Sequence, residues 1–173
     1  MEHWQNLNSL YLLAAFEAWG ELGNDSRAKH VAMDGVTASI IASGLITPAL
    51  KFAVGRERPN ATADTFRFKP FSGNYSFPSG HATQAFAVAT VLASHYPVWW
   101  VEGLAYGSAA LIGYARIEQN AHFASDVVAG SLIGWSVARA VVSRHEQPPR
   151  AGKISWCPYS NGRDSGLVCF KTF

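Results

Sequence analysis

The chain contains histidines and cations whose types and order suit the chemistry of a phosphate group. Histidine can attack a phosphorus atom or protonate a leaving group, while Lys and Arg neutralise phosphate oxygens. One carboxylate follows the last of these histidines at helical spacing, where it could orient the imidazole ring. In chain order, the residues of this set are Lys51, Arg58, Ser79, Gly80, His81, Arg116, His122 and Asp126.

Pro78, Ser79 and Gly80 precede His81 and an apolar run, which is the pattern of a capped helix start. Gly80 allows the backbone to approach a ligand closely, and the free N–H groups of a first helical turn favour an anion. The same pattern also fits an ordinary capped helix with an incidental histidine. We expect this helix to run from about Ser79 to about His95.

Lys51 and Arg58 are seven positions apart, so they share one helix face if the helix continues to Arg58, where Pro59 would end it. Arg56 would then lie on a different face, and we expect it to be solvated. Taken alone, a Lys and an Arg at this spacing are also typical of an ordinary solvated surface.

His122 and Asp126 are four positions apart, so the carboxylate can reach the imidazole across one helical turn. An Asp bonded to one ring nitrogen fixes the tautomer and leaves the other nitrogen as a nucleophile. The pair could instead be a surface contact of small energetic value. A zinc site of His81, His122 and Asp126 is a further alternative, which the nearby cations disfavour because they would repel a divalent metal.

Apolar spacing and caps predict an all-α fold, a compact helical bundle that forms one domain over residues 1–147. A long polar loop from Gly55 to Asn74 interrupts it, and loops of this length are usually functional or disordered. Besides the helix that starts near Ser79, the predicted helices cover Asn8 to Trp19, Ser26 to Met33 with Asp25 or Ser26 as its cap, Asp34 to Val54, Pro97 to Ala115 and Ala121 to Ser143.

The sequence of residues 148–173 predicts a short C-terminal β-hairpin tail packed on the same domain. Two β-prone runs flank the turn sequence that begins at Asn161-Gly162, after Pro148-Pro149 has ended the helical part. Such a hairpin would place Cys157 opposite Cys169. The two cysteines would form a disulfide in an oxidising compartment, or would remain two buried thiols.

Apolar residues make up 49% of the chain and charged residues 15%, and the net charge is +2, so nothing indicates a nucleic-acid partner. Val36 to Val54 is about as long as a membrane-spanning helix, but it contains Pro48 and Lys51. The mean hydropathy of +0.03 is low for a chain with several spans. The composition therefore favours a soluble protein, with an integral membrane protein as the alternative, and no secretory signal opens the sequence.

Three sequence motifs, taken in their order along the chain, resemble the signature of the type 2 phosphatidic acid phosphatase superfamily. That superfamily contains soluble class A bacterial acid phosphatases, membrane lipid phosphatases and vanadium haloperoxidases, and the resemblance implies the helical bundle of the acid phosphatase and vanadium haloperoxidase type. One departure is Ala115, where the family usually has a Ser before the Arg of the third motif. The motifs are Lys51-x6-Arg58-Pro59, Pro78-Ser79-Gly80-His81 and Arg116-x5-His122-x3-Asp126.

The resemblance implies a role for each residue of the set. His122 attacks phosphorus to give a phosphohistidine, Asp126 orients it, and His81 protonates the leaving group and then activates water. It also implies a metal-independent enzyme with no cofactor, in whose site vanadate or phosphate could sit. The implied phosphate-binding residues are Lys51, Arg58, Ser79, Gly80 and Arg116.

Three functions fit this pattern. The main expectation is a periplasmic or otherwise extracytoplasmic phosphatase of small phosphate monoesters. The alternative is a membrane-associated phosphatase of lipid phosphates or polyprenyl diphosphates, and a vanadate-dependent haloperoxidase ranks last because such enzymes are usually longer. The expected partner is a phosphorylated small molecule or a lipid head group, with membrane-surface contact in the second case. A non-enzymatic phosphate-binding module would leave the nucleophile and the acid without a use, and the sequence leaves the oligomeric state open.

Overall fold

The computed structural model describes residues 3–145, 154–160 and 165–171. Helix is the dominant structure, so the predicted all-α fold is confirmed. A π-helical segment, Ile40–Ile46, joins two of the α-helices without a break. The elements of the described ranges are α1 (His3–Leu22), α2 (Ser26–Ser39), α3 (Thr47–Val54), α4 (Gly80–His95), α5 (Trp99–Glu118), α6 (Ala124–His145), β1 (Ile154–Ser160) and β2 (Ser165–Lys171).

The break that the sequence predicts between Met33 and Asp34 is not found, because α2 continues past it. Asp34 is a helix-interior residue with no exposed surface, and His95 Nε2 at the end of α4 lies 2.8 Å from its Oδ2. The acid therefore joins two helices instead of starting one. The other end of α2 is as predicted, since the Asp25 side chain caps it by accepting from the N–H of Arg27 at 2.9 Å.

Small residues allow α4 and α6 to pack closely. A Cβ added at Gly130 would overlap the carbonyl oxygen of Ser79, and one added at Gly134 would overlap the carbonyl oxygen of Thr83. The two glycines are one turn apart on α6, so they present a smooth face to the first turn of α4. The core cluster around these helices consists of Val31, Ala38, Ala87, Val91, Ala138, Val141 and Val142.

The chain divides into two compact units, Met1–Val142 and Ser143–Phe173. In the second unit β1 and β2 pair in antiparallel fashion, so a hairpin is found where it was expected, although the register pairs Cys157 with Val168 and Cys169 with Trp156. The expected direct pairing of the two cysteines is therefore wrong by one residue. The disulfide itself concerns side chains outside the described part of the chain. The domain boundary at residue 148 and the packing of the tail stay predictions.

Within the described ranges, two helical stretches are long and apolar enough to cross a membrane, judged by length and composition. They are Ser26–Val54, with a mean hydropathy of 1.5, and Ala124–His145, with 1.3. Only 22% and 33% of their most apolar windows are buried in the molecule, whereas the core helix of a soluble protein is mostly buried. These helices fit the membrane-associated alternative, and the preference for a soluble protein is not confirmed.

Candidate active site

The start of α4 lies against the start of α6 and the end of α3. The backbone N–H of Ser79 donates to the backbone carbonyl of Asp126 at 2.9 Å. A Cβ added at Gly80 would lie 4.0 Å from Cε of Lys51, so the lysine side chain passes directly over this glycine. His81 follows in the first turn of α4 and is half-buried. The structure thus brings part of each of the three motifs to one place.

The Ser79 side chain caps α4 as the sequence predicts. It accepts from the N–H of Ala82 at 3.5 Å, and its backbone is extended, as expected of a residue just before a helix. Ser79 has no exposed surface, so the cap is part of the packed interior. The N–H groups of the first turn remain directed along the helix axis, where they favour an anion.

Arg116 and His122 are joined through the backbone at the end of α5. The carbonyl of Arg116 accepts from the N–H groups of Ala121 and His122, at 3.1 and 3.3 Å. His122 is 3% exposed. Among the described residues, neither Nε of Arg116 nor Nδ1 of His122 has a hydrogen-bond partner, although both atoms are buried. Buried donors of this kind usually have an acceptor, and a phosphate oxygen is one that suits Arg116.

His122 and Asp126 face each other, but not through the predicted helix turn. Helix α6 begins at Ala124, so His122 lies in the preceding loop, and the expectation of a helix start near Ala121 is wrong by three residues. Nδ1 of His122 lies 3.8 Å from Oδ2 of Asp126, which is within ion-pair range but longer than a hydrogen bond. The carboxylate is directed at Nδ1, so Nε2 is the ring atom left for chemistry.

Asp126 has no exposed surface, and both of its carboxylate oxygens are held by other groups. Ser76 Oγ and the N–H of Phe123 donate to Oδ2, at 2.6 and 3.0 Å. The second of these bonds is half of a capping box, because Asp126 is the third residue of α6 and reaches back to the residue before the helix. Oδ1 accepts from Nη1 of Arg56 at 2.5 Å.

The position of Arg56 differs most clearly from the sequence prediction. It was expected to be solvated, but it is 6% exposed and forms the ion pair with Asp126. A fully buried carboxylate needs a cation or several donors, and the sequence does not say which Arg supplies it. Ser76 was also missed, because a serine in a polar loop carries no distinctive signal. The hint in the sequence was that Asp126 lies on the face of α6 that packs inward, where its carboxylate would need a partner.

The helix does not continue from Lys51 to Arg58, which was the condition for the two side chains to share a face, and α3 ends at Val54, where the predicted helix ends. Gly55 ends α3 in the left-handed conformation, with φ of 60°, and its N–H donates to the carbonyl of Lys51. Arg58 therefore lies in the loop, half-buried, where its carbonyl accepts from the N–H groups of Ala61 and Thr62. Its placement at the phosphate stays a prediction, whereas Lys51 lies beside Gly80.

The loop after α3 folds back on itself beside the site. Nζ of Lys51 donates to the carbonyl of Tyr75 at 2.6 Å, which ties the end of the loop to the end of α3. Earlier in the loop, Glu57 contacts Lys69 at 2.7 Å and Arg67 at 3.2 Å. The pKa of Glu57 lies below its ordinary value, chiefly because of the hydrogen bond from Lys69, so the loop carries a charged pair network at neutral pH.

No group of three or more His, Cys, Asp or Glu side chains in the described part of the chain is placed to hold a metal ion. The zinc alternative of His81, His122 and Asp126 therefore has no such cluster to support it. Independence from metals stays a prediction.

The model of the PAP2 superfamily matches residues 35–149, which contain all three motifs. Because this match covers more than half of the chain, the protein belongs to the PAP2 superfamily, and the predicted membership is confirmed. The fold agrees: the crystal structure of LpxE from Aquifex aeolicus superposes with a TM-score of 0.56 at 25% identity, covering 80% of this chain and 83% of that one.

Curated relatives of the chain are named as phosphatases. A lipid A 1-phosphatase of Rhizobium etli is 39% identical over 111 residues, which cover 60% of this chain and 47% of the relative. An undecaprenyl-diphosphatase of Sulfolobus acidocaldarius is 35% identical over 86 residues, which cover 49% of this chain and 41% of the relative. The chain spans about half the length of the curated relatives it matches.

Proposed function

We propose that this protein is a phosphatase of phosphorylated lipids, either lipid phosphates or polyprenyl diphosphates, that works at a membrane surface. One observation carries the proposal: the bond between Ser79 and Asp126 and the contact between Lys51 and Gly80 join the three motifs in one site. That site offers cations and helix N–H groups for a phosphate, with two histidines at hand. Phosphoryl transfer needs little else, since positioning and charge neutralisation supply most of the catalysis.

The proposed reaction begins with attack by Nε2 of His122 on phosphorus, because Asp126 faces the other ring nitrogen. A P–N bond forms, the P–O bond to the leaving group breaks (the lipid alcohol of a lipid phosphate, or the lipid monophosphate of a diphosphate), and His81 gives a proton to the departing oxygen. In the second half His81 takes a proton from water, the water oxygen bonds to phosphorus, and the P–N bond breaks. His122 recovers its lone pair and inorganic phosphate leaves.

The remaining residues of the set would stabilise charge. Lys51 and Arg116 would neutralise the equatorial oxygens of the phosphoryl group, and the first-turn N–H groups after Ser79 would donate hydrogen bonds to them. Arg58 belongs to the same proposal through its motif. During binding, a phosphate oxygen would replace the carbonyl of Tyr75 as the acceptor of Lys51, which would free the end of the loop.

The exterior of the helices favours a lipid over a small soluble ester. Large apolar side chains are exposed along several helices, and so many exposed apolar groups suit contact with a membrane or a partner better than contact with water alone. The relatives reported above are named for lipid A and undecaprenyl diphosphate, which agrees with this choice. The exposed apolar side chains of these helices include Ile40, Leu45, Trp99, Leu104, Leu111, Val128 and Leu132, each more than half exposed.

A substrate panel tests the proposal. Purified protein in detergent micelles would be given phosphatidic acid, a long-chain polyprenyl diphosphate, glycerol phosphate and an aryl phosphate, with His122→Ala as the blank. We expect kcat/KM for a lipid to exceed that for glycerol phosphate by at least about tenfold, because the binding of the lipid chain is used in the transition state. Equal or faster release from glycerol phosphate would return the assignment to a phosphatase of small esters.

A flotation assay with phospholipid vesicles provides the second arm. We expect the protein to float with the vesicles at physiological salt, since apolar burial does not weaken as salt screens charges. Protein that stays at the bottom of the gradient, without detergent and without aggregation, would count against membrane-surface action. The predicted extracytoplasmic location stays a prediction.

A further inference from the structure

The two terminal nitrogens of Arg56 bind the carboxylate of Asp126 and the loop after α3, while its buried Nε has no hydrogen-bond partner among the described residues. Its Nη1 donates to Oδ1 of Asp126 and, at 2.7 Å, to Oγ of Ser125. Its Nη2 donates to the carbonyl of Thr65 at 2.5 Å. The guanidinium thus bridges the loop after α3 and the first turn of α6, and it does so from a position with 6% exposure.

Two aromatic rings enclose the same guanidinium. The guanidinium carbon lies 4.3 Å from the centre of the Phe123 ring and 5.3 Å from that of Phe68. Phe123 directly follows His122, and its N–H donates to Oδ2 of Asp126. Arg56 therefore contacts both the carboxylate that faces the His122 ring and the residue that carries on the backbone from His122.

A purely structural role explains this arrangement poorly. A buried ion pair contributes little net stability, because the desolvation of both charges offsets most of their attraction, and apolar residues of similar volume often do as well. What the contacts do provide is position: Nη1 holds Oδ1 of Asp126 while Nη2 is bound to the carbonyl of Thr65, so the carboxylate is tied to the loop after α3. With Oδ1 held there, Oδ2 faces Nδ1 of His122, 3.8 Å away.

We propose that Arg56 is a positioning residue of the reaction proposed above: through Asp126 it sets the tautomer and the orientation of His122. With Oδ1 bound to Arg56, the carboxylate stays charged, and Oδ2, which also accepts from Ser76 and the N–H of Phe123, faces His122 and favours the proton on Nδ1. Nε2 then keeps its lone pair for phosphorus. Arg56 itself does not touch the substrate, so it differs from Lys51 and Arg116. The inference rests on the proposed function.

A double-mutant cycle of Arg56 and Asp126, measured as kcat and KM, tests whether the two residues act together on His122. We expect Arg56→Gln to lower kcat on the order of 100-fold with KM changed by less than about twofold, because a small displacement of the nucleophile has effects of that size. In the Asp126→Asn background the same substitution should change kcat by less than about twofold, since residues that act as a unit are not additive. Arg56→Lys keeps the charge but loses the fork, so its kcat should lie between those of the wild type and Arg56→Gln.

The matched control is Arg67→Gln, in the same loop, whose Nε contacts Glu57 and whose side chain is about half exposed. Its kcat should equal that of the wild type. If Arg56→Gln leaves Asp126 unpaired and does not fold, the double variant, which has no buried charge at this position, and Arg56→Lys carry the comparison. A folded Arg56→Gln with wild-type kcat would overturn the proposal, and so would an equal loss in the Asp126→Asn background.

A spectroscopic readout separates this inference from the proposed function. In protein with ¹⁵N-labelled histidine rings, the signals of His122 are assigned by their loss in His122→Asn. We expect the Nδ1–H tautomer in the wild type and a mixture of tautomers in Arg56→Gln. If the wild type releases no phosphate from any substrate, the proposed function fails, and the ring signals still decide the positioning role. An unchanged tautomer in Arg56→Gln would refute that role whether or not the enzyme is active.

Discussion

Ser79 donates its backbone N–H to the backbone carbonyl of Asp126 over 2.9 Å, and this single bond joins the second and third motifs. Because neither side chain takes part in it, a substitution of a nearby catalytic side chain leaves the bond in place. Kinetic losses in such variants therefore report mainly on chemistry. Their common control is the thermal midpoint of each variant, which should lie near that of the wild type wherever a substitution removes no buried contact.

The nucleophile is tested by His122→Ala. We expect phosphate release to fall to the background rate, because the P–N bond can no longer form and the first half-reaction has no substitute. In the wild type, rapid quenching during turnover should trap phosphoprotein that is stable in alkali and labile in acid. Wild-type turnover by purified His122→Ala would end the proposed mechanism.

The proposed general acid, His81, is tested by His81→Ala with two kinds of phosphate ester. Loss of a general acid slows a reaction by roughly 10²- to 10⁴-fold when the leaving group must be protonated. We therefore expect a large loss on an alkyl phosphate and a much smaller loss of the phosphorylation step on a 4-nitrophenyl ester. Burst measurements on the aryl ester should show His122 still phosphorylated, with its hydrolysis slowed. Equal losses of the phosphorylation step on both esters would remove His81 from this role.

Helix positions could be predicted from the sequence where a local signal marks them. The Ser79 cap and the end of the helix at His95 follow from capping and apolar periodicity, and both agree with α4. The end of α3 at Val54 also agrees with the predicted helix from Asp34 to Val54, since a left-handed glycine such as Gly55 after an apolar run is a common helix end. The predicted helix start at Asp34 was wrong, because an acid near a helix start resembles a cap until its buried partner is known.

The site was predictable in its residue types but not in its internal contacts. Order and spacing made Lys51, His81 and His122 candidates, because motif positions are local. The choice of Arg56 as the partner of Asp126 depends on how the loop folds over α6, which is a long-range contact with no sequence period. The preference for a soluble protein is not confirmed, since an average hydropathy over the chain hides apolar faces on single helices.

Metal independence and anion inhibition are tested together. We expect EDTA to leave kcat unchanged and vanadate to inhibit in competition with substrate, because five-coordinate vanadate resembles the phosphoryl transition state and would bind the cations of the site. Arg116→Gln should weaken vanadate and substrate alike, since its Nε is placed to donate to an equatorial oxygen. Loss of activity on chelation, with recovery on adding zinc, would favour the metal alternative instead.

The last prediction concerns the close contact of α6 with the start of α4. In Gly130→Ala the new Cβ would overlap the carbonyl oxygen of Ser79, and only a backbone shift can relieve that overlap. We expect a loss of about 1–3 kcal/mol in the free energy of unfolding, as for other overpacked cores, together with lower kcat because Ser79 begins the turn that we propose to bind phosphate. Gly134→Ala, one turn further along, should destabilise similarly but leave more activity.

The matched control is Gly107→Ala in α5, where nothing lies within 4 Å of the new Cβ and a gain of about 0.5–1 kcal/mol is expected from helix propensity. Unfolding midpoints and kcat of the three variants decide the matter: a Gly130→Ala protein that matches Gly107→Ala in both would show that α4 and α6 are not in close contact at Ser79.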